Sequence, residues 1–125
     1  MRKELPKATE AETQAAILTY LNSRGHFAFR VNTQGVPLWG KDKTFRGFRP
    51  SPMKGVSDII GIVGGVKGIG KARAVYPRST FLAIECKAAG KKPTPEQDDF
   101  LEEVRKRGGI GIVARSIDDV QAVGL

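Results

Sequence analysis

Thr80-Phe-Leu-Ala-Ile-Glu-Cys-Lys87 is an apolar run that ends in a carboxylate, a thiol and an amine. Its length and its apolar content read as a buried strand. Side chains two apart on a strand share a face, so Glu85 and Lys87 project together while Cys86 points the other way. A second short apolar run, Asp58-Ile-Ile-Gly-Ile-Val63, reads as the preceding strand. Antiparallel pairing of the two would bring the Asp58 carboxylate beside Glu85. Carboxylates framed by Phe81-Leu-Ala-Ile84 are costly without a cation, whereas a solvated strand edge carrying alternating charge needs no such frame. Hard cations such as Mg²⁺ take a few carboxylates and keep waters, leaving positions open for a phosphate. An adjoining lysine can hold the attacking water or neutralise charge growing on that phosphate.

Outward from these two strands, Thr9 precedes apolar residues at Ala11, Ala15, Leu18 and Leu21, with Ile17 beside them, and Gly25 follows. That pattern predicts a capped helix from about Glu10 to Arg24. Phe27, Phe29 and Val31 alternate with Ala28 and Arg30, the period of a strand. Periodicity then stops from Gly35 to Lys54, where Pro37, Pro50 and Pro52 lie among glycines and cations, and a long functional or disordered loop is expected. Beyond Lys87, Thr94 is placed to cap a helix with Pro95 first and Gln97 third, with Phe100, Leu101 and Val104 on its buried side and Gly108-Gly109 ending it. A strand Ile110 to Ala114 follows, and Ser116 with Asp119 starts a last short helix running through Val123. The order αβββαβα predicts one α/β domain over residues 1–125, a mixed sheet flanked by helices.

Composition narrows the partner. The 125 residues carry 21 Lys+Arg against 13 Asp+Glu, a formal charge of +8, which favours a polyanion and nucleic acid first. No apolar run approaches the ~20 residues of a membrane span, and the N-terminus lacks the apolar core of a signal peptide, so a cytoplasmic protein with no membrane partner is expected. One cysteine and one histidine leave no disulfide framework and no Cys/His zinc site within one chain, so a metal must sit on oxygen ligands.

Gly55-Val-Ser-Asp58-Ile-Ile, Phe81-Leu-Ala-Ile-Glu85-Cys-Lys87 and Thr94-Pro-Glu-Gln97-Asp-Asp-Phe100-Leu together resemble the VRR-NUC branch of the PD-(D/E)xK nuclease superfamily, in its small stand-alone, phage-type form. The resemblance runs from about Glu10 to Val120, departing at Ser57, where the superfamily usually has proline. It implies a restriction-endonuclease-like fold and a metal-dependent endonuclease, acting in the host cytoplasm if phage-encoded. Glu10, Asp58, Glu85 and the Cys86 carbonyl would hold one or two Mg²⁺ or Mn²⁺ ions, with Lys87 catalytic and Gln97 supporting from the helix. Glu10-Ala-Glu-Thr-Gln14 is similar to the family's first-helix pattern, with Glu12 as the rival ligand. Products with a 5′-phosphate and a 3′-hydroxyl are implied, as is a homodimer acting on branched DNA such as a four-way junction. A monomeric flap or duplex nicking enzyme and a noncatalytic DNA-binding module are the alternatives.

Several cations are expected at DNA: Arg30, Asn32, Lys41, Lys43, Arg46, Arg49 and Lys54, and Lys67, Lys71 and Arg73 in the Gly-rich connection between the two central strands. Trp39, Phe45 and Phe48 among them suit base stacking, a wedge at a junction, or burial against this or a second subunit. Arg30 and Asn32 either orient a phosphate or satisfy the loop backbone. Gly65-Val-Lys-Gly-Ile-Gly-Lys71-Ala72 nearly matches a phosphate-binding P-loop, but Ala72 stands where a hydroxyl must hold Mg²⁺, so no nucleotide cofactor is expected. His26 reads as structural and Cys86 as a small core residue.

Overall fold

The computed structural model describes residues 6–31, 36–49, 53–64 and 79–125. Helix α1 spans Glu10–Ser23, with the Thr9 hydroxyl accepting from the Glu12 amide and Arg24 as its C-cap, one residue short of the expected end. Its buried line is Thr13, Ile17 and Leu21, whereas Ala11 and Ala15, expected on that line, are exposed. The larger side chains bury more apolar area than a methyl and so fix the helix's rotation. Gly25 turns the chain at a φ of 87° into strand β1, Phe27–Arg30.

The expected loop contains a hairpin instead. Strands β2, Val36–Trp39, and β3, Phe45–Arg49, pair antiparallel with an irregularity between Leu38 and Trp39. The Asp42 carboxylate accepts from the Thr44 amide and hydroxyl at 3.2 and 2.6 Å and so closes the turn. Gly47 at a φ of 116° and the register shift break the alternation that would announce these strands.

Strands β4 (Ile59–Val63), β5 (Thr80–Cys86) and β6 (Ile110–Ala114) match their expected positions, and the main sheet has the order β1-β4-β5-β6. The first two pairings are antiparallel and β5–β6 is parallel. Helix α2, Pro95–Lys106, makes the crossover that parallel pairing requires. It begins with the expected capping box, in which Thr94 accepts from the Gln97 amide and the Gln97 side chain accepts from the Thr94 amide. Helix α3, Ile117–Gln121, ends before Val123, and its Ser116 cap makes no side-chain hydrogen bond. Asp119 accepts from the Arg115 amide instead, so the expected roles of Ser116 and Asp119 are not the ones used.

One face of the sheet, through Ala28, Ile59, Leu82, Ile84 and Ala114, packs on Ile17 and Leu21 of α1 and Val120 of α3. The other carries Ala83, which α2 covers with Leu101 and Val104. Gly111 lets α2 lie close, since a Cβ there would sit 2.7 Å from the Leu101 carbonyl oxygen. Thus the chain is a mixed α/β structure in which helices flank a four-stranded sheet. Among the described residues no helix is long and apolar enough to cross a membrane.

Candidate active site

Two residues separate Ala83, under α2, from Glu85, so the covered face ends in a carboxylate at the C-terminal end of β5. The Ile59↔Ile84 register places Asp58, one residue before β4, across from Glu85. Asp58 is then fixed twice through β-type bonding: its carbonyl accepts from the Val31 amide at 2.8 Å, and its Oδ2 accepts from the Cys86 amide at 2.9 Å. Glu10, in the first turn of α1, approaches from the side, its Oε1 accepting from the Ala88 amide at 3.1 Å. Lys87 Nζ lies 3.7 Å from Glu85 Oε1, so the two share a face as the strand period requires. These residues line a cleft of about 370 Å³ together with Gln14, Arg30 and Gln97.

The electrostatics are those of crowded negative charge. Glu85 is only 2% exposed, and its Oε2 has no hydrogen-bond partner among the described residues. Burial, then the Asp58 charge and the hydrogen bond with Asp58, push the Glu85 carboxyl up to about 8 against the pull of Lys87. The Cys86 thiol, buried on the opposite face, rises to about 12, through burial and then through Asp58, Glu85 and Glu10. A buried acid with an unpartnered oxygen beside a second carboxylate needs either a proton or a cation. The donor set, hard oxygens with a lysine beside them, fits a divalent metal of the Mg²⁺ type. Even so, no group of three or more Asp, Glu, His or Cys among the described residues converges into a ready-made metal cage.

All five residues expected to be catalytic, Glu10, Asp58, Glu85, Lys87 and Gln97, meet in this cleft, with Cys86 in its wall. Of the two first-turn glutamates, Glu10 reaches β5, while Glu12 is exposed. Gln97 has a second task, because its Oε1 is held by the capping box. Arg30 joins the cleft, whereas Lys54 lines a separate groove along α2, and Lys41, Lys43 and Arg46 are exposed on the hairpin. Asn32, Lys67, Lys71, Arg73 and the P-loop-like segment lie outside the described residues, as do the side chains of Phe48 and Arg49. His26 is buried ahead of β1, its imidazole held below the usual value by burial and then by Arg24, and it does not line the cleft.

Sequence reading passed over Gln14 as a cleft residue, although it lies one helical turn after Glu10 on the same side. It also passed over Gly55. At a φ of 78°, Gly55 abuts the start of α2, where a Cβ would collide with the Glu96 carbonyl. Gly55 therefore ties the segment carrying Asp58 to the helix carrying Gln97. Compared with known proteins, the chain matches no family model, no curated protein and no solved structure.

Proposed function

We propose that this chain is a divalent-metal-dependent DNA endonuclease of the VRR-NUC type, with a restriction-endonuclease-like core. The observation that carries the reading is the buried Glu85 and Asp58 pair, with the Glu85 Oε2 unpartnered and the Lys87 ammonium at 3.7 Å. Glu10, Asp58, Glu85 and the Cys86 carbonyl would hold Mg²⁺ or Mn²⁺. When bound, such an ion polarises the scissile phosphate and lowers the pKa of a bound water. Lys87 orients the attacking water and offsets charge on the phosphate, and Gln97, with Oε1 in the cap, has its amide nitrogen left to steady Lys87. Arg30 holds a neighbouring phosphate at the cleft. Water adds to phosphorus and the bond to the 3′ oxygen breaks, giving a 5′-phosphate and a 3′-hydroxyl. The net charge of +8 supports a DNA substrate.

Branched DNA, a four-way junction above all, is the proposed substrate. The direct test incubates the protein with linear duplex, flap, splayed and four-way junction DNA of matched sequence, with Mg²⁺ or Mn²⁺. Cleavage of the junction ahead of duplex is expected. Binding without cleavage under every divalent metal would make the chain a noncatalytic DNA-binding module.

A further inference from the structure

The β2–β3 hairpin and the groove along α2 are both apolar surfaces left in solvent, and they match each other in charge. No helix or strand outside the hairpin makes an extensive contact with it among the described residues. Yet Trp39 is 64% exposed and stacks edge-on with Phe45 at 5.7 Å, and Leu38 is exposed beside them. A two-stranded hairpin is marginal alone in water, and apolar side chains on it call for a cover. Around its turn it carries Lys41, Lys43 and Arg46 against Asp42.

The groove, about 670 Å³, runs between α2 and the end of β5, with Phe81, Phe100, Val104 and Met53 in its walls. Its rim is acidic. Glu96, Asp99 and Glu103 face Lys54 and Arg107, and Arg107 is already paired with Glu103. Phe81 also continues the groove onto the open sheet, because the register sets Phe27, Ile62 and Phe81 in one row and all three are exposed. An acidic rim repels phosphates, so nucleic acid is a poor occupant. What fits is an apolar wedge bearing cations.

We propose that the occupant is the Trp39 hairpin of a second copy of this chain, docked reciprocally in a two-fold dimer. Two-fold symmetry requires that if one copy's hairpin enters its partner's groove, the partner's hairpin enters the first copy's groove. Both contacts then add to one interface, toward the ~1,000 Å² a specific association needs. The inference does not depend on the endonuclease reading, since association is measured without DNA or metal.

Trp39 is the sole tryptophan and therefore reports hairpin burial directly. Sedimentation and Trp39 emission are followed together across micromolar concentrations, and the emission is expected to move to shorter wavelength as the dimer forms. Asp99→Lys with Glu103→Lys reverses the rim, and Lys41→Glu with Lys43→Glu reverses the hairpin, all at exposed positions. Each double variant alone should associate at least ~tenfold more weakly, because like charges then face one another. An equimolar mixture should restore association as a heterodimer, since both of its hairpin–groove contacts are again of opposite sign. A wild type that stays monomeric, variants that dimerise as wild type does, or dimerisation that leaves Trp39 emission unchanged would each overturn the proposal. So would an emission shift that appears only on adding DNA, which assigns the hairpin to nucleic acid.

Discussion

At one end of β5 a carboxylate is buried, and at the other an aromatic ring is exposed. Glu85 is 2% exposed and Phe81, four residues earlier on the same face of the same strand, is 45% exposed. Both inversions follow from where α2 lies. Leu101 and Val104 cover Ala83 midway between them, so the helix spends its apolar side on the middle of the strand. Beyond it on the Glu85 side, α1 and the Asp58 turn close over a polar cleft. On the Phe81 side no comparable cover is described, and an apolar groove results. Burial of a charge against its solvation preference marks a site for chemistry, and exposure of a ring against its own marks a site for association.

The largest expected effect lies at the polar end. Asp58→Ala and Glu85→Ala should each abolish metal-dependent cleavage while retaining DNA binding by gel shift, because the ligands go and the basic surface stays. Normal turnover by either variant would remove the site assignment. Lys87→Ala should likewise lower turnover by orders of magnitude without weakening binding comparably.

Stability should separate the middle of β5's face from its end. Leu101→Ala empties a fully buried position and should cost roughly 2–5 kcal/mol in urea denaturation, as for other buried leucines. Phe81→Ala, half in solvent, should cost clearly less. Equal losses would mean that Phe81 is covered in solution.

The raised Glu85 carboxyl has a pH signature in metal-free protein held with a chelator. Between the ordinary 4.5 and about 8 the folded state keeps a proton that the unfolded chain has released. Stability should therefore fall as pH rises through that window and level off above it. Glu85→Gln should flatten the profile and raise the melting temperature at pH 8 more than at pH 5. Mg²⁺ or Mn²⁺ should raise the wild-type melting temperature near neutral pH and barely move that of Asp58→Ala. A flat wild-type profile would show that the carboxyl is not strained.

The smallest effect concerns Arg30. Its replacement by alanine should reduce the slope of log binding constant against log salt by about one, the loss of a single phosphate contact. An unchanged slope would place the phosphate path away from β1.

Much of the site was legible because its parts are local or obey strand periodicity. Glu85 and Lys87 share a face by spacing alone, and the Thr94–Gln97 capping box is a four-residue pattern. The hairpin was not legible, since Gly47 and the slip at Leu38 erase its alternation, and its turn rests on an Asp42–Thr44 contact with no standard signature. Nor was the rotation of α1, which depends on Ile17 and Leu21 finding the sheet and leaves Ala11 and Ala15 in solvent.

By itself the sequence determined the strands β4, β5 and β6, the start of α2 and the pairing of a carboxylate with an amine at the end of β5, because each is written within a few consecutive residues. Only the tertiary structure decided that Glu10 and not Glu12 reaches that end, that Gln14 joins it, and that Lys54 leaves it for the groove. Those outcomes turn on which face of α1 meets the sheet and how closely Gly55 lets the Asp58 segment approach α2. Packing between distant segments sets both, and no local pattern encodes them.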